Sequence, residues 1–327
     1  MNSLKRSRAI EILNNAKNKK VAVIGDVMLD RFFWGSVSRI SPEAPVPVID
    51  VEEESFHLGG AANVAKNLSS LGLIPVLFGI LGDDNSGKIF YEIATSNGII
   101  ADGLYMDKNR PTTVKTRIIG NNQHIARIDR EVRDKISLDA EDFILTKLKD
   151  IKDLAAIILE DYNKGLLTES LINSIIIFSL DNNIPVFVDP KSENFFSYRK
   201  CTLFKPNRKE AANALRMNLK TKDDIITAGK KLLEKIECKN VLITLGSEGM
   251  YLFEDNGNIY SVPTFARKVA DVSGAGDTTI ATLCAGWVGG ASVKDASALA
   301  NYAAGLVVEK PGIVSVDINE LIEKIKE

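Results

Sequence analysis

Short apolar runs alternate with amphipathic stretches along most of this 327-residue chain. Residues 20–26, Lys-Val-Ala-Val-Ile-Gly-Asp, predict a buried strand ending in a turn, because so brief an apolar run bounded by glycine and acid suits a strand. Residues 63–72 have helical spacing and stop at a glycine; 74–79 predict the next strand and 86–97 another helix. Three further β-rich runs, 154–159, 184–189 and 240–245, each follow a helical segment. This alternation predicts an α/β fold, with a central, mainly parallel sheet covered by helices on both faces. Asp26, Asp161, Asp189 and Gly246 stand just beyond strand ends, where the ligand crevice of an open α/β sheet forms, so they are expected to converge.

Two stretches break the pattern. Residues 32–56 carry Pro42, Pro45 and Pro47 and then the spaced Val46, Val48 and Val51, which suits an exposed or edge strand pair. Residues 110–130 read as strands around Gly120-Asn121-Asn122, a hairpin turn signal. Together they predict a small β lid on one domain covering 1–327.

Composition narrows the class. With 45% hydrophobic and 26% charged residues and a net charge of −2, the chain has no electrostatic footprint for nucleic acid or an anionic membrane. The basic start is not followed by an apolar leader segment, and the uncharged run 278–293 is broken by Gly286, Gly289 and Gly290; a buried helix is expected there rather than a membrane span. Cys201, Cys238 and Cys284 are odd in number and lack CxxC spacing, which predicts reduced thiols and a cytoplasmic protein. Only His57 and His124 exist, so a histidine triad or multi-histidine metal site is disfavoured.

The most informative segment is Asp271-Val272-Ser273-Gly274-Ala275-Gly276-Asp277, which opens a long small-residue helix. Amides at a glycine-rich helix start are unpaired, and the helix dipole favours an anion there. Gly274, Ala275 and Gly276 are thus a candidate anion hole, and Asp277 a candidate base for a hydroxyl attacking phosphorus. The alternative is a turn capping a core helix. Gly59 and Gly60 permit close backbone approach and Asn63 offers a donor and an acceptor to a sugar, although a tight helix entry would look similar. Asp26 and Asp30, past the first strand, suit vicinal hydroxyls or plain solvation. Asn207 and Glu210 are three apart on a helix start; they suit water around a Mg²⁺ ion, or a simple capping box. Thr244, Gly246 and Gly249 form a strand-to-glycine turn able to approach a nucleotide. Lys191, Lys115, Arg117 and Arg127 supply cations in lid or crevice positions, which would suit a phosphorylated substrate.

Taken together, Gly59-Gly60-Ala61-Ala62-Asn63, Asn207-Arg208-Lys209-Glu210 and the Asp271–Asp277 segment resemble the signatures of the ribokinase-like carbohydrate kinases, the PfkB family. Val272 departs from the usual threonine. Finer matches resemble the branch of heptose 7-phosphate kinases of lipopolysaccharide-precursor synthesis: residues 23–31, 38–48 and 123–130, Lys115-Thr116-Arg117, Asp161-Tyr162-Asn163-Lys164-Gly165 and Asp189-Pro190-Lys191. The resemblance implies a ribokinase-like three-layer fold with a β-sheet lid, and transfer of the ATP γ-phosphate to the anomeric hydroxyl of D-glycero-β-D-manno-heptose 7-phosphate. It implies Asp277 as base and Gly274, Ala275 and Gly276 around the phosphoryl group. Asn207 and Glu210 would organise Mg²⁺ through water. Asp26, Asp30, Gly59, Gly60 and Asn63 would hold the sugar, and Lys115, Arg117, Arg127 and Lys191 would contact phosphate. Thr244, Gly246, Gly249 and Asn301 would border the nucleotide. A monovalent cation and a lid-paired homodimer fit the same resemblance. So does a stand-alone kinase, since no HxGH-type segment follows. Rivals are a kinase of another sugar or sugar phosphate and a non-catalytic sugar- or nucleotide-binding regulator; a dinucleotide oxidoreductase is disfavoured because residues 23–26 do not continue into GxGxxG.

Overall fold

The computed structural model describes residues 4–266 and 269–326. Its strands, in chain order, are β1 (Lys20–Gly25), β2 (Val27–Ile40), β3 (Pro47–Gly60), β4 (Ile74–Gly82), β5 (Ile100–Asp107), β6 (Val114–Gly120), β7 (Gln123–Arg130), β8 (Leu154–Glu160), β9 (Val186–Asp189), β10 (Leu203–Phe204), β11 (Asn240–Thr244), β12 (Met250–Glu254) and β13 (Ile259–Val262). The helices are α1 (Arg6–Ala16), α2 (Ala61–Ser70), α3 (Asn85–Ser96), α4 (Leu138–Lys149), α5 (Glu169–Asp181), α6 (Arg208–Leu215), α7 (Lys222–Ile236), α8 (Ala275–Val288), α9 (Val293–Val307) and α10 (Ile318–Lys324). Side-chain caps fix several starts: Ser137, Thr168 and Ser292 each accept the third amide of α4, α5 and α9.

The large sheet runs β13-β12-β11-β10-β9-β8-β1-β4-β5. Pairing is parallel from β11 to β5, and only β12 and β13 join antiparallel. Alternating residues of each strand enter different cores. Val21, Val23, Ala156, Ile158, Phe187 and Leu203 pack under α1, α2, α8 and α9. Ala22, Ile24, Ile157, Leu159, Val188 and Phe204 pack against α4, α5 and α7. Both faces are covered, so the strands read as unbroken apolar runs rather than alternating ones. The three layers predicted from the pattern are present.

Helix α8 is buried all round from Asp277 to Gly286, which accounts for its uncharged sequence. Buried Asn67 ties it to α2. Its Nδ2 donates to the Asn63 carbonyl (2.9 Å), while its Oδ1 accepts from Thr278 Oγ1 (3.1 Å) and the Val316 amide (3.2 Å). Among the described residues no helix is long and apolar enough to cross a membrane.

The second sheet, ordered β3-β2-β6-β7, differs from the expected lid in extent. Its β2–β3 pair begins at Val27 and ends at Gly60, because Val27 pairs with Gly60 and Met28 with Gly59. Only Asp26 separates β1 from β2, so the lid grows directly out of the main sheet, and Asp30 lies within a lid strand rather than in a loop. The β6–β7 hairpin turns at Asn121 and Asn122, whose φ values of 50° and 61° are those the predicted turn requires.

Gly25 closes β1 opposite Glu160. A Cβ there would lie 2.1 Å from the Glu160 carbonyl oxygen, so β1 and β8 would have to separate. Gly25→Ala is expected to destabilise the protein by about 1–3 kcal/mol, seen as a thermal midpoint lowered by several degrees. An unchanged midpoint would show that the strands are not held this tightly.

Candidate active site

The parallel register brings four strand ends into one row: Gly25 pairs with Glu160, Glu160 with Asp189, and Lys205 follows the Phe204–Val188 pair. Alternation then decides where these side chains go. Two residues beyond Ile158, Phe187 and Leu203, they fall on the face covered by α8. Glu160 is wholly buried, and neither of its oxygens has a hydrogen-bond partner. Asp189 Oδ2 sits 2.6 Å from the Lys205 ammonium, which is itself 2% exposed. Burial, then the charges of Asp189 and Asp277, hold the Glu160 carboxyl well above its usual range. Burial opposes the Lys205 charge, yet Asp189 and Glu160 outweigh it and raise that pKa.

The N-terminus of α8 ends over this row. Gly274 caps the helix with φ 77°, and a Cβ at Gly276 would come within 3.6 Å of Asp189 Oδ2 and 3.7 Å of Lys205 Nζ. The Ala275 amide donates to the Val272 carbonyl, whereas the amides of Gly276 and Asp277 donate to no acceptor among the described residues. Asp277 is 6% exposed. Its Oδ2 accepts from Asn63 Nδ2 (2.7 Å) and its Oδ1 from the Tyr162 hydroxyl (2.8 Å). Burial raises its pKa to about 6, against the opposing pull of the Asn63 and Tyr162 hydrogen bonds. Each carboxylate oxygen retains a second lone pair, so a further hydroxyl can still approach.

The sugar-side candidates lie on the lid strands and the start of α2, with Asn63 reaching Asp277, and some have changed tasks. Asp26 accepts from the amides of Tyr162 (2.8 Å), Lys164 (3.0 Å) and Leu166 (3.2 Å); it organises the loop that carries Tyr162 and leaves little acceptor capacity for hydroxyls. Burial, then the charge of Asp161, raises its pKa to about 6. Asp30 pairs with Arg117 at 2.5 Å, across the parallel β2–β6 ladder, and Arg117 also lies over the Phe32 ring. A Cβ at Gly59 would meet Asp30 Oδ2 at 2.3 Å, so only glycine allows that carboxylate its place. Gly60, with φ 61°, turns the chain into α2. Lys115 lies between Asp129 and Glu131 (3.6 and 3.8 Å), and Arg127 forks onto Asp129 at 3.0 Å. Arg127 faces Arg117 across the β6–β7 pair but is 57% exposed, so the structure leaves it at the rim.

On the other side of α8, Thr244, Gly246, Gly249 and Asn301 line a cavity of 370 Å³ together with Gly276 and Thr279. Asn301 Nδ2 donates to the Pro263 carbonyl (2.6 Å). Asn207 is bridged to Thr244, which brings the α6 start to the same rim. Asn207 and Glu210 form a complete capping box: Asn207 Oδ1 accepts from the Glu210 amide (2.9 Å), and Glu210 Oε2 from the Asn207 amide (2.8 Å). The second Glu210 oxygen takes Lys191 Nζ at 2.6 Å. Burial opposes the Lys191 charge, but Asp189 and Glu210 raise its pKa above the usual lysine value.

Sequence reasoning missed four contributors in whole or part. Glu160 and Lys205 received no role, Asp189 only a place at a strand end and in a motif, and Tyr162 only membership of a motif. The available signal was alternation: each charged residue follows a buried strand at the spacing that turns it toward α8.

The chain matches the family model described as pfkB family carbohydrate kinase over residues 18–319. It is 41% identical over 320 residues to the bifunctional protein HldE of Geobacter sulfurreducens, covering 98% of this chain and 65% of that one. Against HldE of Helicobacter pylori it is 41% identical over 307 residues, covering 93% and 66%. The chain thus spans about two thirds of the length of these curated relatives. Phosphofructokinase-2 from Escherichia coli, solved with potassium, superposes with a TM-score of 0.78 at 18% identity, over 94% of this chain and 98% of that one. Arabidopsis thaliana ribokinase, solved with ribose and ATP, gives 0.74 at 20% identity, over 94% and 99%. Motif, fold and sequence likeness agree: the chain belongs to the pfkB family of carbohydrate kinases.

Proposed function

We propose that this protein transfers the γ-phosphate of ATP to the anomeric hydroxyl of D-glycero-β-D-manno-heptose 7-phosphate, giving the 1,7-bisphosphate used in ADP-heptose and lipopolysaccharide-precursor synthesis. The observation that carries the reading is the meeting of Asp277, shifted up to about 6, with the amides of Gly276 and Asp277, unpartnered among the described residues, beside the 370 Å³ cavity. The cavity takes the nucleotide, bordered by Thr244, Gly246, Gly249 and Asn301. Asp277 accepts the proton of the sugar hydroxyl, and the α8 amides receive the charge that gathers on the phosphoryl oxygens. Asn63 and Tyr162 aim the carboxylate. Asp30, Gly59, Gly60 and Asn63 border the sugar, with Asp26 acting through the loop it organises. Arg117 is the leading cation for the substrate's own phosphate, followed by Lys115 and Arg127.

Mg²⁺ neutralises phosphate charge when bound with the nucleotide. Asn207 and Glu210 use their inward atoms on each other and on Lys191, which supports a role in ordering water around the ion rather than direct ligation. A monovalent cation belongs to the same reading. So does a homodimer paired through the lid, whose strand β7 is exposed throughout and presents a bare edge. No nucleic acid or membrane enters the reading, and a cytoplasmic location goes with it. A kinase of another sugar phosphate uses the same machinery with different lid contacts; a panel of sugar phosphates with Mg-ATP, followed by phosphorus NMR of the new ester, decides the acceptor. Absence of any phosphoryl transfer across that panel would favour a non-catalytic binding protein.

Asp277→Asn should lower kcat by about 10²–10⁴-fold while nucleotide affinity stays nearly unchanged, since proton acceptance matters as the transition state forms. Wild-type turnover would remove Asp277 from the role of base. In nucleotide-free and metal-free protein the Asp277 carboxyl should titrate at about 6 by carbon-detected NMR, assigned by its loss in Asp277→Asn. Above that midpoint the carboxylate can accept a proton, and below it the base is blocked. A midpoint in the ordinary aspartate range would show that burial does not govern it. Arg117→Ala should raise KM for a phosphorylated sugar far more than for its unphosphorylated analogue; equal changes would detach Arg117 from the phosphate.

A further inference from the structure

Tyr162 is fixed from more directions than a residue in a loop between a strand and a helix requires. Its amide, with those of Lys164 and Leu166, donates to Asp26. Its neighbour Asp161 accepts from the Asn163 amide (2.8 Å) and from the hydroxyl of the buried Tyr198 (2.7 Å). The Asn163 side chain donates to Ser192 Oγ (2.9 Å) and accepts from the Glu193 amide (3.3 Å), which joins this loop to the segment carrying Lys191. Lys191 Nζ in turn lies 5.4 Å from the centre of the Tyr162 ring, while Glu210 holds it from the start of α6. At the far end of the ring, the one hydroxyl proton goes to Asp277 Oδ1 (2.8 Å). Burial, then the charges of Asp277, Glu160 and Asp189, hold the phenol pKa well above its usual value, so it stays a donor.

Asp277 has few groups that favour its charge. Burial and the Asp189 carboxylate on β9 oppose ionisation, Lys205 after β10 favours it, and Glu160 on β8 brings a further carboxyl within 4.8 Å. Among the described residues two hydrogen bonds reach the carboxylate, from Asn63 on α2 and from Tyr162, and neither donor is charged. On the reading of Asp277 as the base, we propose that Tyr162 is a positioning residue that keeps this carboxylate in its proton-accepting form, with Lys191 bracing the ring. A donated hydrogen bond favours the ionised carboxyl, and an ammonium over the face of an aromatic ring is attracted to it and holds it in place. Removing the hydroxyl alone raises the proton affinity of Asp277 and leaves the ring where it is.

The test compares full-length wild type with Tyr162→Phe, which keeps the ring and removes the hydroxyl. In nucleotide-free and metal-free protein, carbon-detected NMR should show the Asp277 midpoint, about 6 in the wild type, raised by about one unit in the variant. With 3-fluorotyrosine at the same position, a stronger donor, the midpoint should fall below that of the wild type. In turnover with Mg-ATP, the loss of kcat/KM in Tyr162→Phe should approach about tenfold below about pH 6 and shrink above about pH 8, where both enzymes carry an ionised base. An unmoved midpoint would overturn the proposal, and so would a loss of kcat/KM equal at every pH, which is what a merely structural tyrosine would give. Because the titration needs neither ATP nor sugar, an unmoved midpoint leaves the kinase reading standing. Normal turnover in Asp277→Asn removes the base whatever the midpoint does.

Discussion

The charged crevice of this protein depends on neighbouring parallel strands ending in step. Glu160, Asp189 and Lys205 come together only because β8, β9 and β10 keep a register in which every second side chain faces α8. A slip of one residue would turn each of them to the opposite core. The apolar alternation that divides Val21 and Val23 from Ala22 and Ile24 thus also aims the charges at the strand ends. Packing supplies the precision, since neither core can accept the wrong set.

That arrangement opposes folding at neutral pH. Asp26 and Asp277 both have pKa values raised to about 6, first by burial. A carboxyl with a raised native pKa favours the fold while it is protonated, and this contribution is lost as pH rises through about 6. Two covered sheet faces and the Asn67 link between α2 and α8 hold the crevice against that loss. Asp26 is partly repaid by three backbone amides, which in turn fix the loop that carries Tyr162 to Asp277. One buried acid therefore positions the partner of another.

Much of the fold was legible because parallel strands buried on both faces carry a local signature: short apolar runs between helical segments, with glycine or acid at the ends. The glycine turn at the start of α8 was legible for a similar reason, since Gly274 needs a left-handed conformation and α8 is buried all round from Asp277 to Gly286. What was not legible depends on register between distant segments. Nothing near Asp30 announces Arg117, 87 residues away, until β2 and β6 pair. Glu160 stands next to Asp161 in the chain, but strand alternation sends them to opposite faces, and only the choice of partner strands shows which one lies under α8. The lid boundary slipped for the same reason: the pairing of Gly59 and Gly60 with Met28 and Val27 extends the strands into what looked like a binding loop.

The Asn207–Glu210 pair separates what a motif marks from what a site needs. Its four atoms of interest already form a reciprocal cap, and the remaining carboxylate oxygen holds Lys191. This accounts for the three-residue spacing without any ligand: the spacing is that of the first turn of a helix, and the helix start is what places Thr244 and Asn207 side by side at the cavity rim. Glu160 presents the opposite case. No spacing rule singles it out, yet its burial without hydrogen-bond partners makes it the least satisfied acid of the crevice among the described residues. Recurrent spacing reports on backbone geometry, which many sites share. Burial without partners reports on one particular site, because it depends on which strands end side by side.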